Sequence, residues 1–423
     1  MERLDYPALG ETVYTHTLPN GLKIFAAKKP GFQKAFAMFA TNYGGADRRF
    51  CLDGEWIDTP AGVAHFLEHK MFDMPDGTNV LAQLSARGAA PNAYTSAGIT
   101  AYHFTCTDGF SENLRTLLTY VSTPWYTPES VAKEQGIIAQ EIRMYENNPA
   151  SAGYQGLLAL LFPGHPIRES VAGTVESIAQ ITPEILYSCH RAFYRPANMA
   201  LCCVGDFDPQ AVADMAEELL SPEPGEVPLR DYGGEISLSP ETNRSQRAMA
   251  VSAPLFYLGA ALPAGLEGKE KLRRQLLCEL SLEYLAGPSS GLYTELYAQG
   301  LLNRDFGTAC MASAGAEALL MGGESRDPEA VFNALTERIG RIARRGVDSA
   351  AFERCRRARY GAELTGLDAF GSYARAMADG AFHGWTVEDV FTTLPELSAD
   401  DAAAFLCENV TPQRMAMSVV RPG

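Results

Sequence analysis

The sequence predicts an α+β protein of two similar domains, each an antiparallel-rich sheet with helices packed on one face. Three observations lead there. Short β-branched and aromatic runs interleave with amphipathic helical stretches. The chain has 423 residues and 46% hydrophobic content, long for one core and sufficient for two. The plan of the first half recurs in the second: SSGLYTELYAQGLLN (289–303) occupies the place of GTNVLAQLSARGAAPN (77–92), and a repeat this long marks paired domains rather than a solenoid.

The first half reads in order. TVYTHTLPNGLKIFAAKK (12–29) gives two short strands around a Pro-Asn-Gly turn, and KAFAMFATNYGG (34–45) gives a Phe-rich strand. A helix follows over the stretch AGVAHFLEHKMFDM (61–74), then a second over 78–88 that stops at Gly88. PNAYTSAGITAYHFTCT (91–107) reads as a strand pair, and 109–123 and 127–147 as helices, the latter with Pro128 in its first turn. NMALCCVGDFDP (198–209) is a strand that turns into a helix over 209–220. SPEPGEVPLRDYGGE (221–235) packs three prolines and three glycines into fifteen residues and marks a linker. Domains are therefore expected at 1–220 and 246–423, joined by 221–245. The second half is read as a strand (247–262), helices (268–286, 290–299), strands (305–325), helices (328–345, 348–366 and beyond) and a closing strand, RMAMSVVRP (414–422).

Composition excludes several functions. A formal charge of -16 opposes nucleic-acid binding, which needs clustered Lys and Arg. The one basic cluster, ERCRRARY (353–360), reads as a solvated helix face. No run of about 18 apolar residues spans a membrane, and the N-terminus carries no apolar leader. Nine scattered cysteines without a CxxC pair fit reduced thiols and a cytoplasmic location.

The chemistry concentrates in 61–74. His65, Glu68 and His69 fall at i, i+3 and i+4, one face of a helix, amid Ala, Phe, Leu and Met. A lone histidine on such a face is usually a satisfied core residue. Two histidines plus a carboxylate are different, because an unpaired carboxylate is expensive to bury. A zinc ion resolves all three groups, and H-x-x-E-H is the inverzincin order. Catalytic zinc takes a third protein ligand and keeps a position open for water, with a nearby glutamate as general base. KEQGIIAQEIRMYE (133–146) offers Glu134 and Glu141, seven apart on nearly one face that also carries Ile137 and Ile138 and is therefore expected to point inward. His103 in a strand and His165 in a Pro/Gly loop are weaker ligands, and His190 and His383 are read as lacking a carboxylate at helical spacing. There is no phosphate-binding loop of the G-x-x-x-x-G-K type.

GVAHFLEHKMF, GAAPNAYTSAGITAYHF, VAKEQGIIAQEIRMYENNP and FYRPANMALCCVGDFDP, in that order, resemble the pitrilysin (insulinase) family of zinc metallopeptidases over most of 12–210. The two-domain length resembles its processing-peptidase-like subfamily, and HFLEHKMF and IAQEIRMYENNP look closest to a bacterial cytosolic branch. The resemblance implies that His65, His69 and Glu141 ligate Zn2+. It makes Glu68 and Glu134 the catalytic-site carboxylates: Glu68 activates water, and Glu134 orients a ligating imidazole. Asn92, Ala93, Tyr94 and Thr95 become the edge strand along which a peptide is laid by β-augmentation. Four such domains, from two chains, close into a chamber that admits peptides or unfolded segments.

The family's C-terminal half usually brings an arginine and a tyrosine to the reaction. In LYAQGLLNRDF (296–306) Tyr297 and Asn303 stand near those places, and LLCELSLEYL (276–285) carries no histidine. The expectation is a heterodimeric zinc endopeptidase whose partner, a homologous chain, supplies the Arg/Tyr pair; a homodimer is the other arrangement. A non-catalytic scaffold of the same fold is the rival reading, set against the intact motif. A zinc deaminase is excluded because H-x-E with P-C-x-x-C is missing. Elongation factor P modification or ribosomal-peptide maturation enters by resemblance alone.

Overall fold

The computed structural model describes residues 1–423. The chain forms two compact units, and each draws on both halves of the sequence. The first comprises Met1–Gln140, Ser170–Asp231 and Glu363–Glu388; the second comprises Glu141–Glu169, Tyr232–Ala362 and Asp389–Gly423.

The strands in chain order are β1 (Glu2–Tyr6), β2 (Glu11–Thr17), β3 (Lys23–Lys28), β4 (Ala35–Thr41), β5 (Arg49–Leu52), β6 (Glu55–Asp58), β7 (Ala90–Thr95), β8 (Thr100–Cys106), β9 (Met199–Gly205), β10 (Arg244–Met249), β11 (Leu255–Leu262), β12 (Gly307–Ser313), β13 (Ala316–Glu324) and β14 (Ala416–Pro422). The first five helices are α1 (Val63–Lys70), α2 (Val80–Ala86), α3 (Phe110–Val121), α4 (Pro128–Glu146) and α5 (Pro149–Leu161).

The first unit is built on a seven-stranded sheet in the order β1-β2-β3-β9-β4-β8-β7, antiparallel except where β3 runs parallel to β9. All seven residues of β4 and all seven of β9 are buried, which requires cover on both faces. Thr41, Thr100 and Thr95 stand in register across β4, β8 and β7. Their face carries α1 and helix Pro183–Phe193: the Thr41 hydroxyl donates to the Phe193 carbonyl of that helix (2.7 Å), and α1 reaches Thr95. The opposite face, with Phe36 and Met38, is covered by helix Phe370–His383 from late in the chain. That helix buries Phe370, Tyr373 and Met377, and the Lys23 ammonium donates to the Ala381 carbonyl (2.6 Å) in its last turn. Each large apolar side chain so buried contributes about 1.5–3 kcal/mol.

The second unit has five strands in the order β10-β14-β11-β13-β12, with β10 parallel to β14 and the other pairs antiparallel. It too borrows: α5, from the first half of the sequence, packs on β10, β11 and β14. A Cβ at Gly156 of α5 would stand 2.4 Å from the Ser418 hydroxyl oxygen, so any larger residue there would force Ser418 to turn away from the helix. The expected strand over 247–262 is two strands, β10 and β11. Pro254 precedes β11 and cannot donate to a ladder, so the run breaks there. The α+β, two-part architecture follows the sequence; β1, the β5–β6 hairpin, α5 and helix Pro183–Phe193 were not legible in it.

Candidate metal centre

Helix α1 begins at Gly62, whose φ of 94° is left-handed and whose added Cβ would meet the Ala172 carbonyl oxygen at 2.6 Å. This fixes the entry angle of the helix. Val63, Ala64, Phe66 and Leu67 then bury the apolar face. His65 and His69, one turn apart, remain partly exposed on the other side with ring centroids 4.6 Å apart, and Glu68 is 8% exposed.

Helix α4 starts on a reciprocal cap. The Ser130 amide donates to the Thr127 hydroxyl oxygen and the Thr127 amide to the Ser130 hydroxyl oxygen, both at 3.1 Å, with Pro128 in the first helical position. Ile138 and Ile142 are buried. Ile137 is 47% exposed, which corrects the inward orientation expected for it: at 100° per residue it falls on the far side of the stripe that carries Glu134 and Glu141. The stripe itself faces α1. His69 Nδ1 lies 3.0 Å from Glu134 Oε1. An ionised carboxylate has no proton to give, so Nδ1 carries the hydrogen and the Nε2 lone pair is available. Helix α4 runs unbroken to Glu146, and Glu141 is carried two turns beyond Glu134.

His65, His69 and Glu141 each offer a ligand atom, and the three atoms lie within 4.8 Å of one another. Two imidazoles and a carboxylate on rigid helices are the donor chemistry of a three-ligand zinc site with one position left over, so the residues present fit the ion. Glu68 is not in this group; it accepts a hydrogen bond from the Thr95 hydroxyl (2.7 Å). That contact ties α1 to β7, and sequence spacing could not reveal it. A second unforeseen contact joins the Tyr145 hydroxyl to Glu141 Oε1 (2.9 Å), four residues along α4.

Asn92, Ala93, Tyr94 and Thr95 lie on β7, the edge strand of the first sheet. Ala93 and Thr95 share the α1 face, whereas Asn92 and Tyr94 point to the face of helix Phe370–His383, where the Arg375 guanidinium sits 4.6 Å from the Tyr94 ring centroid. Four further histidines have structural partners. His103 stacks on Phe36, and burial pushes its pKa down. His165 Nδ1 accepts from the Ile167 amide (3.0 Å). His190 lies 3.1 Å, through Nε2, from the Val121 carbonyl. His383, read from sequence as lacking a carboxylate, has one: Asp379, four residues earlier on the same helix, is 2.9 Å away.

Residues 54–175 match the family described as Insulinase (Peptidase family M16), and residues 180–359 match the Peptidase M16 inactive domain. The uncharacterized zinc protease YmfH of Bacillus subtilis is 34% identical over 99% of this chain and 99% of its own length. The mitochondrial-processing peptidase subunit beta of Caenorhabditis elegans is 27% identical over 60% of this chain and 54% of its own. The crystal structure of an M16-like peptidase from Alicyclobacillus acidocaldarius superposes with a TM-score of 0.93 at 34% identity, covering 99% of this chain and all of that one. With the H-x-x-E-H helix, the two-part fold and these relatives in agreement, this chain belongs to the insulinase (M16) family of zinc proteases.

Proposed function

We propose that the protein is a zinc endopeptidase and the metal-bearing subunit of a heterodimer that encloses peptides or unfolded segments in a chamber. The observation that carries the reading is the convergence of His65, His69 and Glu141 within 4.8 Å, beside a buried Glu68.

The roles follow from the contacts. His65, His69 and Glu141 would hold the metal, and Glu134 keeps the proton of His69 on Nδ1. A zinc ion held there would supply a Lewis acid for the scissile carbonyl and for the attacking water. Glu68 takes a proton from the attacking water on its carboxylate and passes it to the amide nitrogen as the C–N bond breaks and the C–O bond forms. The Thr95 hydroxyl holds that carboxylate in place. Asn92–Thr95, on an open sheet edge, would add a substrate peptide as a further strand, with backbone hydrogen bonds that tolerate many side chains.

The second half supports a division of labour. Tyr297 is exposed and stacks on Tyr293, and the Asn303 amide donates to the carboxylates of Asp305 (3.3 Å) and Glu324 (3.0 Å). Neither offers a positive charge for the oxyanion that hydrolysis creates. A second homologous chain with an arginine and a tyrosine there would complete the reaction; among the relatives, the mitochondrial protein is by name a subunit. Nine cysteines without a disulfide support a reducing cytoplasmic setting.

The test is a Glu68→Gln variant assayed with and without a homologous chain that has the Arg/Tyr pair and lacks H-x-x-E-H. Zinc content should stay at one per chain while hydrolysis of an unstructured peptide falls at least ~10²-fold. Wild-type chain alone should cleave weakly and gain sharply from the partner. Robust cleavage by the isolated chain, unchanged by the partner, would replace the heterodimer with a self-sufficient homodimer. Near wild-type turnover in the variant would remove Glu68 from the chemistry.

A further inference from the structure

We infer that Tyr145 is a positioning residue for the metal centre, one that holds the Glu141 carboxylate in its ligating orientation; the inference rests on the zinc-site reading above. Tyr145 follows Glu141 by four residues on α4, so the two side chains lie one turn apart on one face. The phenol has a single hydrogen and the carboxylate can only accept, so Tyr145 donates to Glu141 Oε1, at 2.9 Å. A glutamate side chain turns about three bonds, and a ligand that must be frozen when the metal arrives binds it less tightly than one already held. The hydrogen bond sets the rotation of the carboxylate in advance.

Burial does not explain this tyrosine. It is 40% exposed, so its ring contributes little to any core, and a phenylalanine would fill the same space. Its position fits a pattern. Glu134 anchors His69 through Nδ1 at 3.0 Å, and Tyr145 anchors Glu141. Glu134, Glu141 and Tyr145 occupy one stripe of α4 at spacings of seven and four. One helix therefore carries the third ligand and the outer partners of two of the three ligands. Such outer partners commonly change metal affinity by about 10–100-fold when removed.

The experiment compares the full-length chain with its Tyr145→Phe variant. Zinc affinity is measured by competition with a chelating dye, and ligand geometry by the visible absorption of the cobalt(II)-substituted protein. The variant should bind zinc about tenfold more weakly and show a shifted cobalt band. The melting midpoint of the metal-free protein should stay unchanged, which a merely structural role would move. Zinc affinity within twofold of wild type, with the same cobalt spectrum, overturns the assignment while leaving the metal site standing. A wild-type chain that takes up no zinc overturns the metal reading and this assignment with it.

Discussion

His69 and Glu134 meet at 3.0 Å, Nδ1 to Oε1, although 65 residues separate them in the chain. The carboxylate both orients the ring and makes its far nitrogen a better donor. Glu134→Gln keeps an acceptor but removes the charge, and Glu134→Ala removes both. Zinc affinity should fall in that order, by a few-fold and then by about 10–100-fold. Competition titrations that returned wild-type affinity for the alanine variant would show that His69 needs no such support.

Thr95 holds Glu68 with a hydrogen bond of 2.7 Å inside a region where the carboxylate is 8% exposed. Thr95→Val preserves the shape and deletes the donor. A hydrogen bond to a charged group contributes about 1.5–3 kcal/mol. The urea midpoint should drop by that equivalent with an unchanged slope, and turnover with the partner chain should drop as well. A variant as stable and active as wild type would mean that Glu68 is held by other groups.

Metal removal gives a third expectation. A ligand that binds only the folded chain adds stability by mass action, about 2.7 kcal/mol at 100 times its Kd. Chelation should therefore lower the melting midpoint, and zinc should restore it. His65→Ala and His69→Ala should melt at the chelated midpoint with or without zinc. A wild-type midpoint indifferent to both treatments would argue against a folded-state site.

Acid should destabilise the protein through His190. Burial pushes its pKa from 6.5 down to about 4, so the folded chain keeps the ring neutral while the unfolded chain protonates it. The unfolded state then binds more protons between about pH 6.5 and 4. Stability is fully present above that window and is lost as pH falls through it, on the order of 3 kcal/mol in all. His190→Leu should flatten that part of the stability profile relative to wild type, read by urea midpoints at successive pH values. Parallel profiles would remove His190 as a source of acid sensitivity.

Periodicity makes α1 and α4 legible, because ionisable groups at helical spacing on apolar stretches need a reason. It does not decide between Glu134 and Glu141. Seven residues put both on one stripe about 10.5 Å apart along the axis, and only the place where α1 crosses that stripe tells which one joins the histidines. That crossing is set by tertiary packing, by Gly62 against Ala172 and by Thr95 against Glu68. Tyr145 is illegible for the opposite reason: an aromatic at the end of a helix carries no signal of its own, and its role depends on its hydroxyl reaching Glu141. The cover of the two sheets is equally nonlocal. Helix Phe370–His383 and α5 each carry an apolar face, and nothing in either segment says which sheet will receive it.

That reciprocal loan of helices reaches into synthesis. The ribosome has finished His65, His69 and Glu141 long before it reaches helix Phe370–His383, which ends 242 residues after Glu141. At roughly 5–20 residues per second, that is a delay of about 12–50 s. Throughout it, Phe36, Met38 and their neighbours on β4, almost completely buried in the finished protein, have no lid. From Gly205, where β9 completes the sheet between β3 and β4, the nascent chain carries an open apolar sheet face for the 178 residues to His383 (383 − 205), and the first unit cannot close until translation is nearly complete.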